Sequence, residues 1–156
     1  MRGLPAGVYE VVAFAYSSVT HSFSQARNAV VTVAPDPWLI IDTPGAGLIR
    51  LPTMLTGWAL DAAADGGTGV ETVHVWAFNE QGNAQFVGVA TYGIARPGVA
   101  AAFGKPAFTN SGFSLSLEHL APGRYNLAIC ALRTGQSNFD LIRLLPVEVA
   151  SGAAPK

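Results

Sequence analysis

The chain has 156 residues, 50% of them hydrophobic and only 12% charged, with a formal net charge of −1. That length suits one domain with a full core, and the near-neutral balance excludes a basic footprint for nucleic acid. Charge at about half the usual density implies more apolar surface than one small core hides, and the excess is read as contact between units or molecules.

The start, Met1-Arg2-Gly3-Leu4-Pro5, has no clean apolar stretch leading to a cleavage site, so no signal peptide is visible in this piece. From there on, 17 Gly and 10 Pro separate short β-branched and aromatic runs, the punctuation of an all-β protein. Residues 1–35 hold two strands and the loop between them. A Pro-containing junction, Ala34-Pro35-Asp36-Pro37, then limits the angle between this segment and the remainder of the chain. Strands are expected at Trp38–Asp42, Met54–Leu60, Glu71–Phe78, Gln85–Tyr92, Gly112–Leu117, Arg124–Leu132 and about Leu141–Ala150. Between the fourth and fifth of these, Arg96-Pro97, Gly98–Phe103 and Gly104 predict one or two helical turns with a glycine stop. Seven short strands at this spacing predict a Greek-key sandwich over 36–150, with 151–156 as a tail. Glu10, Asp36, Asp42, Arg50 and Asp61 interrupt every apolar run before it reaches membrane-spanning length, so no membrane insertion is expected.

Residues 4–34 return as residues 120–150 without a gap, every matched pair 116 positions apart: Leu4/Leu120, Gly7/Gly123, Tyr9/Tyr125, Phe23/Phe139, Arg27/Arg143, Val31/Val147 and Val33/Val149 among them. A repeat at fixed offset is one structural unit used more than once. Residues 1–35 therefore read as the last two strands of a preceding unit, and 36–150 as a complete one. Leu120-x-x-Gly123-x-Tyr125 has the form of a tyrosine corner, with Leu4-x-x-Gly7-x-Tyr9 as its duplicate. Tyr9, Gly123 and Tyr125 are thus structural residues.

In the sixth strand Tyr125, Leu127, Ile129 and Ala131 share one face, and Asn126, Ala128, Cys130 and Leu132 the other. Both faces are largely apolar, as they are in Tyr9–Tyr16, so a cover is expected over the outer ones: the helical turn or a neighbouring unit. A two-stranded remnant is marginal alone, and residues 1–35 are expected to dock, either within the chain or across a homodimer.

Trp58, between Gly57 and Ala59, is expected to pack in or near the core. His74, Trp76 and Phe78 alternate along one strand and, with Tyr92, form the candidate contact surface, either between units or for the flat face of a sugar. Arg96 is expected to bond loop carbonyls or pair with Asp61 or Glu118, and Cys130 to act as a small buried hydrophobe. Asp61, Asp65 and Glu71 surround a glycine-rich turn but lack the spacing of a calcium loop. His21, His74 and His119 stand at unrelated positions, and Gly-x-Ser-x-Gly is absent. No catalytic residue, metal or cofactor is assigned.

Gly57-Trp58-Ala59-Leu60-Asp61, Gly67-Thr68-Gly69-Val70-Glu71-Thr72-Val73-His74-Val75-Trp76-Ala77, Arg96-Pro97-Gly98-Val99, Ser111-Gly112-Phe113 and Leu120-Ala121-Pro122-Gly123-Arg124-Tyr125 together resemble the tandem Ig-like domains of large bacterial extracellular and surface proteins. The family pattern usually carries Asp where this chain has Gly98, a residue that would cap the short helix. The resemblance implies an Ig-like sandwich, an extracellular or cell-surface location, and a non-enzymatic spacer or structural role through inter-repeat or protein contacts. A carbohydrate-binding or adhesin module using exposed aromatics is the alternative.

Overall fold

A computed structural model describes residue 4, residues 6–33 and residues 36–151. Ala34 and Pro35 of the proposed junction lie outside the described residues. The chain divides into two compact units, Met1–Asp36 and Pro37–Lys156.

In the first unit, β1 (Gly7–Ser17) and β2 (Ser22–Val33) form a two-stranded antiparallel sheet. Tyr9 stands opposite Val31 and Ala13 opposite Arg27, and a bulge comes after Ala15.

The second unit is an all-β sandwich. It contains β3 (Pro37–Thr43), β4 (Gly47–Ile49), β5 (Thr53–Asp61), β6 (Val70–Asn79), β7 (Ala84–Val89), β8 (Thr91–Ile94), β9 (Gly112–Leu117), β10 (Gly123–Arg133) and β11 (Leu141–Val149). One sheet runs β3-β5-β9-β8, and the other β4-β11-β10-β6-β7. This is the Greek-key distribution of strands over two sheets expected of an Ig-like sandwich. Alternate residues of facing strands fill the space between the sheets: Leu39, Leu55, Val73, Val75, Phe113, Leu117, Leu127 and Ile129 are almost fully buried in one cluster.

Gly57 fixes the spacing within the β3-β5-β9 sheet. A Cβ there would sit 2.1 Å from the Ile40 carbonyl oxygen and 2.6 Å from the Phe113 ring, so only hydrogen fits beneath that ring.

Two strand assignments depart from those expected of the sequence. The expected strand Gln85–Tyr92 is two strands. Val89 still pairs with His74 in one sheet, whereas Thr91 already pairs with Ser114 in the other, and the chain crosses at the buried Ala90. The three-residue β4, parallel to β11, is too short to give a period-two signal.

The helical turn forms as α1 (Pro97–Phe103), with Pro97 in the first turn and Gly104 in a left-handed conformation at its end. Its cap position is Arg96, with no side-chain cap, so Gly98 lies inside the first turn and not at the cap. A 3₁₀ turn, Pro106–Asn110, comes next and buries Phe108. Together they cover Leu60, Ala62 and Trp58 on the outer side of the β3-β5-β9-β8 sheet. Of the two covers expected for the outer face of the sixth strand, now β10, the turn is therefore not the one, because β10 lies in the opposite sheet.

Candidate contact surface

The outer side of the β4-β11-β10-β6-β7 sheet carries an apolar concavity. Because β-strand side chains alternate, His74, Trp76 and Phe78 of β6 emerge together on that side. Register then sets their neighbours: Trp76 lies opposite Phe86 of β7 and Ala128 of β10, while His74 lies opposite Cys130. On β11, Ile142 pairs with Cys130 and Leu144 with Ala128. The result is a groove of about 790 Å³ whose floor is the small pair Ala128 and Cys130 and whose walls include Trp76, Phe78, Ile142 and Leu144.

Ring contacts hold the aromatic side of this groove in place. Trp76 and Phe86 have centroids 4.9 Å apart, and the His74 imidazole lies 4.6 Å from Phe139 and 5.8 Å from Phe86. Trp76 and Phe78 remain 37% exposed and Leu144 64% exposed, which leaves a patch of contact type and not a closed core. Burial pushes the Cys130 thiol above its ordinary pKa, away from the thiolate that reactive chemistry needs. Sequence reasoning finds the β6 stripe but misses Phe86, Phe139, Ile142 and Leu144. Period-two alternation in β11 was the available signal for the last two.

Tyr92 does not belong to this surface. It stands on β8 in the other sheet, with its ring against the core and its hydroxyl bonded to the Ala59 carbonyl oxygen at 2.7 Å and the Thr68 hydroxyl at 2.8 Å. Burial pushes its pKa up to about 12, with the Thr68 hydrogen bond opposing part of that rise. Tyr92 ties β8 to the end of β5 and is a structural residue.

The other singled-out residues hold the sandwich. Tyr125 donates its hydroxyl to the Ala121 carbonyl at 3.1 Å, completing a tyrosine corner over Gly123, whose φ is +148°. Trp58 is half-buried outside the main core: it stacks on Trp38 with centroids 6.3 Å apart, and Phe103 of α1 meets both edge-on. Arg96 donates to the Gly57 carbonyl at 3.4 Å, which belongs to strand β5 and not to a loop, and its ion pair is with Asp42 at 2.9 Å and not with Asp61 or Glu118. Asp61 is taken by Arg133 at 3.1 Å, and Arg133 also binds Asp140. That hydrogen-bonded cation holds the Asp140 carboxyl below the usual carboxylate range.

The acidic turn is likewise committed to structure. Asp61 also accepts the Ala63 amide at 2.9 Å, and Glu71 accepts the Gly135 amide at 3.2 Å. Among the described residues, no three His, Cys, Asp or Glu side chains gather as a metal site.

No protein-family model matches the chain, and no curated protein matches it. Among solved structures, it is similar to one described as the S-layer protein SbsC domains 4 and 5, at 14% identity and a TM-score of 0.39. The match covers 94% of this chain and 59% of that one, so this chain spans somewhat over half the length of its neighbour.

Proposed function

We propose that the chain is a non-enzymatic structural repeat of a larger bacterial surface or secreted protein, one whole Ig-like unit preceded by the closing hairpin of another. The observation that carries this reading is the shared strand register. Every pair from Gly7 opposite Val33 to Ala15 opposite Gln25 has its counterpart 116 residues on, from Gly123 opposite Val149 to Ala131 opposite Leu141. Two stretches alike in sequence and in pairing occupy equivalent places in successive units, and the function of such an array is geometric: each unit buries its own core and spaces its neighbours.

The groove at Trp76 supplies the contact between units or with a protein partner. Its composition favours packing over sugar recognition, because sugar hydroxyls require converging polar groups and the walls here are almost entirely hydrocarbon. The test is binding of the full chain and of Trp76→Ala to glycan arrays, with surface labelling of intact producing cells by an impermeant reagent. The spacer reading expects labelled protein and no Trp76-dependent glycan signal; a glycan signal abolished by Trp76→Ala makes the chain a carbohydrate-binding module instead.

A further inference from the structure

The complete unit displays how a hairpin of this register is finished, and the first unit lacks those parts among the described residues. In the complete unit, β10 is paired on its second edge by β6, with Leu127 opposite Ala77, Ile129 opposite Val75 and Ala131 opposite Val73. Among the described residues β1 has β2 as its one strand neighbour, and no β6-type strand lies along its second edge. It runs for eleven residues, Gly7–Ser17, with Glu10 as its sole charged residue, so it lacks the lysines, prolines and inward charges that blunt natural sheet edges. Of the devices that blunt natural edges it carries only the bulge after Ala15, near its end.

A second observation points to the same missing parts. Arg143, on β11, crosses to the opposite sheet and donates Nε–H to the Leu39 carbonyl of β3 at 3.1 Å. Its counterpart Arg27 keeps the same register position, opposite Ala13 as Arg143 is opposite Ile129, but its side chain makes no hydrogen bond or ion pair among the described residues. The cation is retained where the acceptor is a strand of a facing sheet.

A third feature specifies that facing sheet. On the inward side of the hairpin, Ala15, Val31 and Val33 match Ala131, Val147 and Val149, Gln25 stands in the place of Leu141, and Val11, Ala13 and Ala29 replace Leu127, Ile129 and Leu145. The hairpin therefore presents one, three and three fewer side-chain carbons at the last three positions. Interiors pack to near-crystalline density, so whatever closes on this hairpin must carry larger side chains than β3–β9 do.

We propose that the second edge of β1 and the inward face of the β1–β2 hairpin are an acceptor site for a strand set of this same architecture. In that set a β6-type strand pairs with β1, a β3-type carbonyl receives Arg27, and bulkier apolar residues fill the space left by Ala13 and Ala29. The proposal rests on the repeat reading and adds to it the identity and side-chain size of the partner.

The experiment extends the full chain by placing a second copy of residues 36–119 directly before Leu4, so that the hairpin is offered strands of the required kind. Hydrogen exchange of the amides in Val8–Ser17 is compared between the extended and original chains. Slowing on the order of 100-fold in the extended chain supports the site. Arg27→Met is expected to lower the melting temperature of the completed extra unit and to leave the original chain unchanged. Because the copied strands are too small, Ala77→Leu placed in the added copy is expected to raise that unit's melting temperature, whereas the same change in the native unit, beside the buried Leu127, lowers it. Unchanged β1 exchange in an extended chain whose native unit stays folded overturns the acceptor site and leaves the spacer role standing. Slowed exchange with Ala77→Leu destabilising both copies overturns the size requirement. Trp76-dependent glycan binding bears on the spacer role alone.

Discussion

Replacing Gly57 by alanine tests the packing logic of the sandwich at its tightest point. The added methyl would lie 2.1 Å from the Ile40 oxygen and 2.6 and 2.9 Å from two carbons of the Phe113 ring. Carbon and oxygen do not normally approach closer than about 3.2 Å, so β3 and β5 must separate by roughly 1 Å or the ring must leave its site. Neither movement is easy, because Gly57 is paired with Ile41 and with Phe113 in the sheet, and Phe113 is fully buried. Overpacking of this kind costs about 1–3 kcal/mol, and a displaced strand puts the cost at the upper end. Reduced freedom of the unfolded chain returns about 0.4–1 kcal/mol. A net loss of about 2 kcal/mol lowers the melting temperature by roughly 8 °C for a unit of this size. Urea and thermal unfolding, monitored by fluorescence of Trp38, Trp58 and Trp76, measure it. Phe113→Leu in the same background relieves the ring clash but not the carbonyl clash, so the double variant recovers only part of the loss. A Gly57→Ala protein as stable as its parent would refute the close-packed placement of β5 between β3 and β9.

The remaining predictions concern single contacts. Gly98→Ala is expected to stabilise by up to about 1 kcal/mol, since nothing lies within 4 Å of a Cβ there and the residue is helical; a loss in chemical denaturation contradicts the α1 assignment. Tyr92→Phe should cost about 1–2 kcal/mol by leaving the Ala59 carbonyl unsatisfied. Because the folded Tyr92 pKa is raised from 10.0 to about 12, its stabilisation is complete below pH 10 and is lost as the pH rises towards 12. Alkaline unfolding that is no less steep in Tyr92→Phe rules this out. Asp140 has a lowered folded pKa, so its contribution is present at neutral pH and is lost as the pH falls below the usual carboxylate range. Asp140→Asn should flatten the acid limb of the stability profile, and the effect should shrink with salt because Asp140 is exposed.

How much of this is legible in the sequence depends on whether the signal is local. The matched residues 116 apart are readable as identities, and their shared pairing follows because a hairpin's register is set by adjacent strands and a short turn. Tyr125 is readable for the same reason, since its acceptor, Ala121, is four residues away. Arg96 is legible as a carbonyl ligand, but its acid is not. That partner, Asp42, lies far back in the chain at the end of β3, and only the packed sheet brings it close. Tyr92 reads as part of the β6 surface because Gln85–Tyr92 looks like one strand, and alternation carries no mark of the sheet crossing at Ala90. Phe86, Phe139, Ile142 and Leu144 escape a linear reading because a groove floored by Ala128 and Cys130 exists only after three strands are laid side by side.

The central claim is that residues 7–15 and 123–131 hold equivalent positions, each in the penultimate strand of a like unit. Cross-strand proton contacts measured by NMR test it most directly. The account predicts Tyr9 facing Val31 and Ala13 facing Arg27, in the manner of Tyr125 with Val147 and Ile129 with Arg143. A slip of one residue in the first hairpin would turn Arg27 to the opposite face and contradict it.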